Sequence, residues 1–234
     1  MTTFYRATAV VAAALLSTSL AACSLIGSKD AKDQESASAQ STDSMGGDTG
    51  TQGAQATAMT GQPAPAGYQM VTAPTSKFSF AVPDGWQLLS SDDLQDDQKV
   101  EAAAAVLGKS ADEVRQMFSS VELEAISATP DDKGFAENAN VSPAPAEITS
   151  LPSEALMNQA IQAQGGTPSE YSTAPTALGE AAVQTYTLNV QTVMVQGALI
   201  VAPTKDGGWT TISVSASDAA RTKELTDTIT STLS

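Results

Sequence analysis

Phe78-Ser79-Phe80-Ala81-Val82-Pro83-Asp84-Gly85-Trp86 decides the fold class. Phe78, Phe80 and Val82 alternate with Ser79 and Ala81, the period of a half-buried strand. Pro83-Asp84-Gly85 supplies turn chemistry, and Trp86, Leu88 and Leu89 resume extended structure beyond it.

Downstream, Ser90 or Ser91 is expected to cap a helix running to about Leu107, with Leu94, Val100, Ala104 and Leu107 inward and Gly108 as its stop. Ser110-Ala111-Asp112-Glu113 is a capping box that opens a shorter helix through Phe118. Residues 121–126 read as a strand, 131–137 as a loop and 138–142 as an extended return. A third helix is predicted over 150–164, with Pro152 in its first turn and Leu156, Met157, Ala160 and Ile161 inward. Extended segments then follow at 169–173, 181–189, 192–202 and 209–217, the last two joined across Lys205-Asp206-Gly207-Gly208. Val193 to Val201, polar only at Gln196, reads as a strand covered on both faces. Asp218 opens a C-terminal helix that directs Ala219, Leu225, Ile229 and Leu233 to the core. The resulting order, ββααββαββββα, predicts an α+β fold: a largely antiparallel β-sheet flanked by helices in an α/β/α sandwich.

Upstream, residues 24–76 are rich in Ser, Thr, Gly, Gln, Ala and Asp, without hydrophobic period, and stiffen at Pro63, Pro65 and Pro74. Such a stretch reads as an unfolded tether spanning roughly 40 Å, with the folded domain expected over 77–234. Ahead of it, residues 1–22 have the three parts of a secretory signal: Arg6, an apolar run from Ala7 to Leu16, and small residues before the cut. Leu20-Ala21-Ala22-Cys23 matches a bacterial lipobox, so cleavage is expected after Ala22 and lipidation on Cys23. Two acyl chains, at roughly 0.8 kcal/mol per buried methylene, give stable attachment. This places the domain on the extracytoplasmic face of the bacterial cell membrane, held there by the lipid.

Composition narrows the chemistry. Cys23 is the single cysteine and the chain has no histidine. With Cys23 lipidated, disulfides and thiolate chemistry are excluded. The missing imidazole removes the usual general base and the commonest zinc ligand. The net charge of −15 opposes nucleic-acid binding and contact with anionic headgroups. No serine lies in a G-x-S-x-G or S-x-x-K arrangement, and no glycine-rich phosphate loop opens a helix. A non-enzymatic role without a cofactor is expected.

The strand-turn-strand opening, with this element order, resembles the F-x-V/I-P-x-G-W entry of PsbP/Mog1-like domains and is most similar to LpqN/LpqT-type actinobacterial lipoproteins. Gly134-Phe135-Ala136-Glu137-Asn138-Ala139-Asn140-Val141 resembles a glycine-phenylalanine-asparagine loop of that group. The resemblance covers residues 77–234. It implies an α/β/α fold and an envelope accessory role, and carries over no catalytic residue.

Candidate sites are few. Asp92, Asp93, Asp96 and Asp97 pair at i, i+4 spacing near a helix start; they fit a divalent cation or, more simply, a solvated face at the positive helix end. Asp131, Asp132 and Glu137 form a second acidic group, and Asn140-Val141-Ser142 matches a glycosylation sequon. Trp86, Trp209, Phe78, Phe80 and Tyr186 read chiefly as core, or as the lining of a lipid or glycan groove. Phe135, in a polar loop, is the expected docking residue for an envelope protein partner, together with the acidic helix at 92–97. The second reading is a ligand-binding lipoprotein holding an apolar or glycan molecule between sheet and helix; a carboxylate-based hydrolase is the third. Replacing Cys23 with serine should move the protein from the membrane fraction to the soluble fraction, as read by immunoblot of fractionated cells.

Overall fold

The computed structural model describes residues 61–190 and 193–234. The signal, Ala22, Cys23 and most of the expected tether lie outside them. The order of elements is β1 (Tyr68–Thr72), β2 (Ser79–Pro83), β3 (Gln87–Ser90), α1 (Asp97–Leu107), α2 (Ala111–Met117), β4 (Leu123–Ile126), β5 (Asn138–Pro143), α3 (Glu154–Ala163), β6 (Thr167–Thr176), β7 (Gly179–Val190), β8 (Val193–Pro203), β9 (Trp209–Ala216) and α4 (Ala219–Thr232). The class is α+β, as expected: a seven-stranded antiparallel sheet, β3-β4-β5-β9-β8-β7-β6, carries helices and a two-stranded sheet, β1-β2.

The opening strands depart from expectation in two ways. The domain begins before residue 77, because β1 lies within the stretch read as tether. Its apolar residues are too few for a periodic signal, and only pairing with β2, Val71 opposite Phe80, makes it a strand. Moreover, the turn at Gly85 (φ 77°) forms no hairpin. It passes the chain from the small sheet to the large one, where β3 pairs with β4. The loop between β1 and β2 carries Lys77 at φ 57°. It is held by Glu122, whose carboxylate accepts from the Thr75 and Ser76 amides and the Ser76 hydroxyl.

Helix starts follow side-chain capping. The first predicted helix is interrupted: a 3-10 turn spans Asp92–Gln95, and Asp96, in extended conformation, caps α1 by accepting from the Gln98 and Lys99 amides. The capping box of α2 forms as predicted. In α3, Pro152 precedes the helix and Ser153 is the N-cap. Met157 and Ile161 turn inward while Leu156, predicted inward, is exposed, because it lies about 100° round the helix from Met157. Ala219 is likewise exposed, while Leu225, Ile229 and Leu233 are buried.

Register separates the two faces of the sheet. One is apolar: Ala125, Val141, Ile212, Val214, Ala198 and Ile200 pack with Phe80 of the small sheet, with Phe78 just ahead of it, and with Leu225 and Ile229 of α4. On the other, α1 and α2 cover the β3–β4 edge through Leu89 and Ile126, and α3 covers β7 and β8 through Met157 and Ile161. There Gly197 of β8 lies opposite Tyr186 of β7, and a Cβ built on it would stand 2.3 Å from the tyrosine ring. Only glycine admits that ring. Gly197→Ala should therefore destabilise the fold by about 1–3 kcal/mol in urea titration, and pairing it with Tyr186→Ala should recover part of the loss attributable to the clash.

Candidate functional site

Each acidic residue singled out in the sequence is placed, and each has a structural partner or a separate position. Asp93 accepts from the Ser90 amide and hydroxyl and pairs with Lys99. The Lys99 bond, foremost, holds its carboxyl below the ordinary range. Asp96 is the α1 cap, Asp97 pairs with Arg115, and Asp92 is in the first turn of the 3-10 segment. In the loop before β5, Asp131 accepts from the Lys133 and Phe135 amides, each at 2.9 Å, and from the Ser217 hydroxyl. Burial alone would raise its carboxyl, but these bonds outweigh it and lower it. Asp132 is exposed, and Glu137 turns away to Arg221 at 3.0 Å. Among the described residues, no group of three or more Asp, Glu, His or Cys side chains could hold a metal ion.

Phe135 is the main correction. It is 0 % exposed and packs with Val193 and Val195, so it is a core side chain and not a docking contact. The Asp131 hydrogen bonds fold the polar loop back and bring the ring under the sheet. Trp86, Phe78, Phe80 and Tyr186 are also buried, and Trp209 packs partly buried beside α3. Asn140, the sequon residue, is 1 % exposed, beyond reach of a glycosylating enzyme.

The concave site lies elsewhere, between α4 and the outer strands β6 and β7. A groove of about 350 Å³ is lined by Glu170, Ser172, Thr185, Gln196, Lys223 and Asp227, among others. A β-bulge opens it: between Pro168↔Tyr186 and Tyr171↔Gln184, β6 has one residue more than β7. The Thr185 hydroxyl holds that bulge, accepting from the Glu170 amide at 2.9 Å and donating to its carbonyl at 3.3 Å. Thr222 fixes the far wall by donating from α4 to the Gln196 carbonyl at 2.8 Å. On the rim, Lys223 pairs with Asp227 at 2.6 Å, and that bond raises the lysine above its ordinary value. The site thus offers hydroxyls, an amide, two carboxylates and an ammonium over a floor that includes Val183. None of these residues stood out in the sequence. The available signals were the Thr222-Thr226-Thr230 spacing of α4 and the polar run Ser169-Glu170 inside β6, both of which read as ordinary surface.

A second polar feature crosses the interior. Glu124, Asn138, Asn140, Ser213, Ser215 and Gln184 are buried on the sheet face that α1 and α3 share. Both Glu124 oxygens, Asn138 Oδ1, Asn140 Nδ2, Gln184 Oε1 and the hydroxyls of Tyr186, Ser213 and Ser215 have no hydrogen-bond partner among the described residues. Burial pushes the Glu124 carboxyl well above its ordinary value. Burial likewise raises the Tyr186 phenol, with the nearby Ser215 hydroxyl opposing it.

No protein-family model matches this chain, and no curated protein does. Phe135→Ala should lower stability by about 3–5 kcal/mol in chemical denaturation, the effect of emptying a core site. A loss of stability near zero would return the residue to the surface.

Proposed function

We propose that this protein is a lipid-anchored, non-enzymatic binding module of the bacterial envelope, which holds a small polar, glycan-like molecule between its sheet and α4. One observation carries the reading: the groove, whose volume of about 350 Å³ falls within the span of small-molecule sites, roughly 300–1,000 Å³. Its lining suits a hydroxylated ligand. Ser172 both donates and accepts, Thr185 and Thr226, whose protons go to the Glu170 and Thr222 carbonyls, each keep a lone pair that accepts, Glu170 and Asp227 accept, and Lys223 donates. Such a set complements sugar hydroxyls better than an acyl chain.

The non-enzymatic character rests on chemistry. A chain without histidine, and with its single cysteine set in a lipobox, lacks the side chains that ordinarily activate a nucleophile near neutral pH. The envelope placement rests on Leu20-Ala21-Ala22-Cys23, and the resemblance to LpqN/LpqT-type lipoproteins supports an accessory role there. Attachment through the lipid on Cys23 would keep the groove on the outer side of the membrane. Docking through Phe135 has no place in this reading.

The test uses the full chain and a panel of neutral cell-wall disaccharides, followed by backbone amide NMR. Shifts should cluster at Ser172, Thr185, Gln196 and Lys223. Ser172→Trp places an indole in the groove from an exposed position on β6 and should weaken binding at least tenfold with the melting temperature unchanged. Binding that survives this substitution would put the ligand elsewhere, and shifts absent for every sugar would overturn the proposal.

A further inference from the structure

Glu124 poses the sharpest physical problem in the molecule. It is 0 % exposed, neither carboxyl oxygen has a hydrogen-bond partner among the described residues, and it sits on β4, the strand next to the edge strand β3. Across the strands its row reads Leu89, Glu124, Asn140, Ser213. Cross-strand neighbours stand about 4.5–5.5 Å apart at Cβ, yet the Asn140 amide nitrogen is itself unpartnered. On its own strand the same face continues two residues on to Ile126. Leu89 and Ile126 are the sheet residues on which α1 and α2 pack, through Val100, Leu107, Val114 and Phe118. Glu124 is therefore the neighbour of both apolar anchors of that helical pair, Leu89 across the strands and Ile126 two residues on along its own strand.

Among the described residues no charge compensates it. The charged groups of the neighbouring elements are engaged elsewhere. Asp97 pairs with Arg115, which also reaches Asp112. Lys99 pairs with Asp93, and Glu113 accepts from Ser110 and faces Lys109. Glu101 and the α3 residue Glu154 are exposed. Neither β3 nor β5 carries a titratable side chain, and Glu122, the neighbouring acid on the chain, is bound to the Thr75–Ser76 loop. A buried carboxylate without a cation or donor is far more costly than a neutral acid in the same place.

We propose that Glu124 is a proton-operated latch on the α1–α2 unit. As a neutral acid it leaves the helices closed over β3 and β4; as a carboxylate it draws water beneath them and releases them from the sheet. The weak point is suited to this role, since α1 and α2 rest on the edge of the sheet while α4 is anchored at its centre.

The direction with pH follows from burial. A carboxyl raised in the folded state gives a contribution fully present below its unfolded value, near 4.5, and lost as pH rises through the folded value. Over that interval each pH unit changes the opening equilibrium by about tenfold.

Hydrogen exchange of the full chain between pH 5 and pH 8, corrected for intrinsic rates, tests this directly. Amides of residues 97–117 should lose protection as pH rises while those of α4 change little, and Glu124→Gln should abolish the pH dependence. Equal slopes in the parent and the variant would overturn the latch. Should Glu124→Gln fail to fold, the carboxyl carbon of Glu124 in the parent chain decides the matter by NMR titration. A group neutral well above pH 4.5 supports the proposal, and one titrating in the ordinary carboxyl range overturns it.

Discussion

Strand β9 is the constraint on which the rest of the structure depends. It pairs with β5 on one side, from Asn138↔Ser215 to Pro143↔Thr210, and with β8 on the other, from Gln196↔Ala216 to Pro203↔Trp209. Without it the chain would be two separate meanders, β3-β4-β5 and β6-β7-β8, each with an open edge. Because β9 forms late in the chain, the sheet closes through contacts of high sequence separation. Loop closure must therefore be met before the core is rewarded. α4 follows β9 directly and covers the sheet centre with Leu225, Ile229 and Leu233, so the same segment both joins the halves and seals one face.

The two faces of that sheet are differently built. Toward α4 the positions Ala125, Val141, Ile212, Val214, Ala198 and Ile200 are apolar, and Phe78 and Phe80 complete the layer. Toward α1 and α3 the central positions of β4, β5 and β9 are Glu124, Asn138, Asn140, Ser213 and Ser215. A buried polar row adds little to stability while its groups stay unpaired, so the apolar face bears most of the burden of folding. The polar face is where protonation can alter the molecule. Its groups respond to charge, and its helices stand over the sheet edges.

The groove owes its shape to local departures from regularity. An extra residue in β6 turns Ser169 and Glu170 aside, Thr185 fixes the displacement, and Thr222 ties α4 at the opposite wall. By contrast, the acidic residues that look most functional in the sequence are absorbed by structure. Asp96 caps a helix, Asp93 and Asp97 pair with cations, and Asp131 folds a loop. Carboxylates near backbone amides are used for capping before they are available for anything else.

The residues by themselves determine the α+β class, the helix starts at Ser110 and Asp218, the hairpin at 205–208 and the strand character of 193–201. Each of these is written in local signals: period, cap or turn. Tertiary structure alone decides that β1 is a strand, that the Pro83-Asp84-Gly85 turn changes sheets, that Phe135 is buried and that a groove opens beside α4. It also decides the position of Glu124, since alternation in Glu122-Leu123-Glu124-Ala125 directs the glutamates toward solvent in any two-layer reading. In a sheet covered on both sides, alternation selects which layer a side chain meets and not whether it meets water. That choice depends on strands and helices distant in sequence, which local pattern does not encode.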